Sequence, residues 1–147
     1  MDDYGRRIIL DVSFELAVAE TSQVLREEGF DVVSRFDVRE YLGRSLHHEC
    51  RRYWLFEVLA PDLTLEALQH DAGIGAILPI TVAVFELADG ETAVVASPPL
   101  APVLTDLGWR AATPVLATLG DHASEQLAQA LDRLQRTADH SRPVVQS

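Results

Sequence analysis

The chain has 147 residues, 48% of them apolar, and a formal net charge of −11 at neutral pH. That length suits one domain, and the apolar share suffices for a core without disulfides or metal. The acidity argues against nucleic acid, whose phosphates are neutralised by Lys and Arg, and against an anionic membrane surface. All 12 basic residues are arginine, as codon bias in a GC-rich genome would give, so Schiff-base chemistry and the Walker phosphate lysine are excluded. The single cysteine, Cys50, cannot close an internal disulfide and suits a reducing compartment. The opening MDDYGRRIIL has no apolar run of signal-peptide length, and no stretch matches a membrane span. The expected location is the cytoplasm.

Residues 6–12 (RRIILDV) read as an apolar strand. Ser13 can cap a following helix through its hydroxyl, with Glu15 placed favourably in the first turn. Phe14, Ala17, Val18, Thr21 and Leu25 fall at helical spacing and form its buried face. Gly29 is the natural stop, because glycine enters the left-handed conformation cheaply. Residues 30–36 are rich in strand formers, 38–43 suggest a single helical turn, and 44–52 (RSLHHECRR) a polar loop. Residues 53–60 (YWLFEVLA) predict a strand apolar on both faces except at Glu57. Pro61 and Asp62 then stop the strand and offer an N-cap for a short helix with Leu65, Leu68 and Ala72 as its apolar stripe.

Pro79 opens the next strand, since it has no N–H to donate. Ile80, Val82 and Val84 share one face, and Thr81, Ala83, Phe85 and Leu87 the other. Two apolar faces require two covers. Asp89-Gly90 is a strong hairpin signal, because such turns need positive φ. In the return strand Val94 and Val95 point to opposite faces. Residues 98–120 suggest an irregular segment with short helical turns. Asp121 or Thr118 then caps a last helix whose Ala123, Leu127, Ala130, Leu131 and Leu134 make one apolar stripe. The expectation is a single α+β domain over residues 1–140 with a frayed tail over 141–147. Its first six elements follow the ferredoxin-like split βαβ order, β-α-β-β-α-β, with an extra hairpin strand and a C-terminal helix after them.

Four segments carry a resemblance: EEGFDVVSRFDV, RRYWLFEVLAPDLTLEALQHDAGIGAILPI, the Asp89-Gly90 hairpin followed by SPPL, and QLAQALDRL. Taken in order, from Ile8 to about Leu134, the chain resembles the domain-of-unknown-function family 302. The resemblance implies a compact α+β domain, commonly dimeric, with no established activity. Many members of that family have Cys-Asn-Pro-Pro at the end of the third strand and Leu-Pro-Cys at the start of the fourth. Here those stretches read Leu59-Ala60-Pro61-Asp62 and Leu78-Pro79-Ile80, and a histidine found after the first motif is replaced by Leu65. Hydrocarbon at Leu59 and Ile80 can neither ligate a metal nor exchange a disulfide. The second strand-helix-strand unit reads as a right-handed crossover, which puts Leu59 and Ile80 at opposite ends of the sheet and in no common site within one subunit.

Few residues suggest chemistry. His47-His48-Glu49-Cys50 resembles a ligand cluster, but sequence neighbours rarely converge on one metal, the zinc spacings are absent, and a solvated loop is the commoner outcome. Arg44, Arg51 and Arg52 can hold an anion or simply pair with nearby acids. Glu57, in an apolar strand, either pairs with an arginine or lies at a strand edge, or else serves as a pocket acid. Gly73-Ile74-Gly75 follows a helix and is no dinucleotide fingerprint, Ser97 has no identified base, and Trp54 and Trp109 suit the core. No catalytic residue, metal site or cofactor is assigned. The leading expectation is a non-enzymatic homodimer formed through the sheet or the hairpin. The alternative is a small-ligand domain with an apolar pocket near Glu57, Tyr53 and Trp54 and an arginine, Arg51, at its mouth. An enzyme ranks third, for want of a motif with a stated geometry.

Overall fold

The computed structural model describes residues 5–98 and 114–140. Strands β1 (Arg6–Leu10), β2 (Asp31–Asp37), β3 (Tyr53–Leu59), β4 (Ile80–Ala88) and β5 (Glu91–Ala96) form one sheet in the order β1-β5-β4-β3-β2. Every neighbouring pair is antiparallel. With them run helices α1 (Phe14–Glu27), α2 (Val38–Leu46), α3 (Pro61–His70) and α4 (Pro114–His140), and a 3-10 segment (Ala72–Ile77). This is the α+β class with a C-terminal helix that the periodicities predict.

The connections differ from the ferredoxin-like expectation in two respects. β1-α1-β2 is a split unit, but it brackets three strands, and β3 and β4 are antiparallel neighbours. The α3 connection therefore leaves and re-enters the sheet at the same end and is no crossover. That overturns the expected separation of Leu59 and Ile80. Val58 pairs directly with Ile80, so Leu59 lies at the same sheet end, although strand alternation sends the two side chains to opposite faces.

Local chemistry accounts for most boundaries. The Ser13 hydroxyl accepts the Leu16 N–H at 3.3 Å and caps α1. Gly29 ends the helix at φ +93°, and the Phe30 N–H turns back to the Leu25 carbonyl at 2.9 Å. Asp37 caps α2 by accepting the Glu40 N–H at 3.0 Å, which carries the expected single turn on to Leu46. In the β4-β5 hairpin only Gly90 takes positive φ, and the register shifts between Glu86 and Ala88.

Two helices depart from the sequence reading. Ala60 caps α3 without a side-chain bond, Pro61 occupies the first turn, and Asp62 follows it. The expected α3 stripe faces outward: Leu65 is 59% exposed, while Ala67 is buried and packs with Leu63, Ile74, Leu116 and Leu119 in a small second core. Thr118 and Asp121 lie within α4 and do not cap it; the Thr118 hydroxyl donates to the Pro114 carbonyl at 2.8 Å. The segment expected to be irregular is therefore helical from Pro114 onward, and its earlier part, with Trp109, lies outside the described residues, as does the expected tail.

The main core sits between α1, α4 and one sheet face. Leu10, Phe56, Val58, Ile80, Val82, Val84, Val94 and Ala96 point inward to meet Phe14, Ala17, Val24 and Leu25 of α1 and Leu127, Leu131 and Leu134 of α4. At the rim of this core Arg133 of α4 donates to Glu27, the last residue of α1, and to Glu28 that follows it, at 2.5 and 2.7 Å. The hydrogen bond from Gln23, and after it that from Arg133, holds the Glu27 carboxyl below the usual carboxylate range. A depressed folded-state pKa stabilises the fold above the unfolded value, and the contribution disappears as pH falls through the folded value. Arg133→Gln is accordingly expected to lower the urea midpoint near neutrality. The gap to the parent should narrow below the carboxylate range, and a gap that stays constant down to acid pH would show that the pair carries no linkage.

Candidate functional site on the open sheet face

The second sheet face is built by strand alternation. From β1 to β2 its middle row reads Arg7, Val95, Ala83, Leu55 and Phe36, each paired with the next across the ladder. One row away lie Ile9, Ala93, Phe85 and Tyr53, and on the other side Thr81, Glu57 and Ser34. The large side chains stay partly open: Tyr53, Leu55, Phe85 and Val95 are half-buried, and Ile9 and Phe36 are exposed. The Tyr53 and Phe85 rings stack 5.0 Å apart at an interplanar angle of 6°. Beside them the small Ala83 leaves a groove of about 290 Å³, with Arg7 at one end and Thr81 and Ser97 along its side.

Glu57 is held here by a hydroxyl and not by the expected arginine, and β3 is an inner strand and not a sheet edge. The Thr81 hydroxyl donates to its carboxylate at 2.8 Å, and the Thr81 N–H donates to the Ser97 hydroxyl oxygen at 2.9 Å. Tyr53 and Glu57 therefore share one face, as their even spacing in β3 requires. Arg51 does not join them. It precedes β3, donates to the Glu86 carbonyl at 3.5 Å, and lies about 20 Å from Glu57 along the strand direction. Nor do Arg44, Arg51 and Arg52 converge: Arg44 pairs with Glu40 at 3.9 Å, and Arg52 with Glu15 of α1. The arginine of the open face is Arg7. The period of two in RRIIL puts Arg7 and Ile9 on one side, but their neighbours across the sheet depend on strand order.

His47 ends α2 in the left-handed conformation at φ 52°, and Glu49 pairs with Arg39 at 3.9 Å. Among the described residues, no group of three or more His, Cys, Asp or Glu side chains is gathered to hold a metal ion.

A family model described as domain of unknown function DUF302 matches residues 7–134. The chain belongs to the DUF302 family. A crystal structure of an uncharacterized conserved DUF302 protein from Bacillus stearothermophilus is similar to it with a TM-score of 0.76 at 20% identity, over 90% of this chain and 99% of that one. At that identity the likeness shows the fold that the DUF302 domain shares with that protein. No curated protein matches the chain.

Proposed function

We propose that this DUF302 domain is a non-enzymatic cytoplasmic assembly module that pairs with a second copy of itself through the open sheet face. The supporting observation is the composition of that face. Val95, Ala83 and Leu55 form an apolar row with the cationic Arg7 at its β1 end and the anionic Glu57 one row away on β3. A two-fold axis lying between the sheets, parallel to the strands and between β4 and β5, exchanges β1 with β3. It brings each Arg7 towards the partner's Glu57, and symmetry repeats the contact. Apolar rows facing each other at the usual sheet separation of about 10 Å would bury one another. Among the described residues no helix is long and apolar enough to cross a membrane. Light scattering at micromolar concentration is expected to give twice the chain mass; a monomer sinks the proposal.

A second reading uses the same groove for a small apolar carboxylate, anchored by Arg7 and the Thr81 and Ser97 hydroxyls in about 290 Å³. A ligand that prefers the native state raises the melting temperature. A thermal-shift screen should then return hits that Arg7→Gln abolishes, and a screen without such hits removes this reading.

A further inference from the structure

On the opposite side of the molecule from the open face, we propose a binding site for a small phosphate or phosphate monoester formed by Ser22, Arg26 and Arg35. Two elements build it. Ser22 and Arg26 stand one turn apart on α1, and Arg35 projects from β2 on the helix side of the sheet. Arg35 Nη2 donates to Ser22 Oγ at 2.6 Å, and Arg26 Nη2 approaches the same oxygen at 3.5 Å. Two guanidinium groups thus converge on one hydroxyl that is only 4% exposed. The Arg35 guanidinium carbon lies 5.6 Å from the centre of the buried Phe56 ring, which fixes its approach.

The surroundings make this an anion site and not a structural pair. Among the described residues neither arginine forms an ion pair with a carboxylate, in a chain with 23 acidic residues and 12 arginines. Like charges held this close repel, and an anion between them removes the repulsion. The groove they line, about 560 Å³, also contains Glu27, but its oxygens are taken by Gln23 at 3.0 Å and Arg133 at 2.5 Å. Ser22 Oγ accepts from the arginines and keeps its own proton to donate. Donors on a helix, a strand and a hydroxyl approach from different directions, which suits a tetrahedral oxyanion better than a planar carboxylate.

The test is a titration of the full chain followed by the arginine side-chain N–H signals in NMR, with chloride holding ionic strength constant. Inorganic phosphate, glycerol 3-phosphate and acetate are the probes. Saturable shifts of Arg26 and Arg35 with phosphate or its ester, and none with acetate, are expected. The tighter of the first two identifies the free ion or the ester as the ligand form. Arg26→Gln should weaken binding about tenfold, as the loss of one charge-assisted bond implies. Ser22→Ala, which keeps both charges, should weaken it several-fold, while Arg44→Gln leaves it unchanged. Because Arg35 also packs on Phe56, Arg35→Lys serves as its variant and should lose affinity with the fold intact. Linear shifts spread over all the arginines, acetate binding as well as phosphate, or indifference to Arg26→Gln would overturn the proposal.

Discussion

Replacing Phe56 with alanine is expected to cost about 3–5 kcal/mol, the range for truncating a fully buried phenylalanine. Phe56 is 0% exposed at the middle of β3, between Trp54 along its own strand and the apolar row Val82, Val84 of β4. Its ring meets Trp54 edge-on, with centroids 6.2 Å apart at 72°. The opposite side carries the Arg35 guanidinium, so the cavity left by truncation would be walled by groups fixed in two other elements and could not collapse easily. Domains of this size are stable by only about 5–15 kcal/mol, so the variant should unfold at a much lower urea concentration with an unchanged slope. Phe85→Ala on the open face is the internal comparison. Its ring is half-buried in the monomer, and its truncation should cost clearly less under conditions that keep the chain monomeric. Equal losses at the two positions would mean that the two sheet faces do not differ as described.

That contrast between faces was legible in the sequence in part. Periods of two and of 3.6 residues are local, and where the chain obeys them the residues name their own face. Ile80, Val82 and Val84 separate from Thr81, Ala83 and Phe85 for this reason, and the stripe of α4 is buried at Leu127, Ala130, Leu131 and Leu134. Capping and turn chemistry is equally local, which is why Ser13 and Gly29 mark the ends of α1. Strand order is not local. Nothing in residues 53–80 says whether α3 carries the chain across the sheet or returns it to the same end, and the placement of Leu59 relative to Ile80 depends on that choice. The α3 face failed for a related reason. The larger leucines, Leu65 and Leu68, lie on the outer side, because close packing against α4 and the 3-10 segment selected the small Ala67. The candidate site inherits both limits. Glu57 stands out as the one carboxylate of an apolar strand and Tyr53 lies on its face by alternation, whereas Arg7 reaches that face only through β5 and β4. Arg51 was grouped with them by proximity in sequence, which an extended strand turns into distance.

Reversing one charge on the open face should break the proposed homodimer, and reversing both should restore it. In the two-fold arrangement Arg7→Glu sets a carboxylate against the partner's Glu57, and Glu57→Arg sets a guanidinium against the partner's Arg7. Each occurs twice per dimer. Either single change is expected to weaken association about 10- to 100-fold, since like charges brought together at an interface oppose docking by a few kcal/mol. The double variant Arg7→Glu with Glu57→Arg exchanges the signs while keeping every contact of opposite charge. Its dissociation constant, measured by light scattering or sedimentation, should therefore return towards that of the parent. A double variant as weak as the two singles combined would mean that these residues do not face each other. Ala83→Arg tests the apolar row without relying on that pairing. It fills the groove and puts a charge at the centre of the face, so it should yield a monomer at concentrations where the parent is dimeric. A dimer that survives Ala83→Arg must use another surface, such as the hairpin. If the chain pairs through this face, the second cover required by the two apolar faces of β4 is supplied by another copy of the chain. The open face is then an interior surface of the assembly, and its half-buried aromatics are the residues that association would bury.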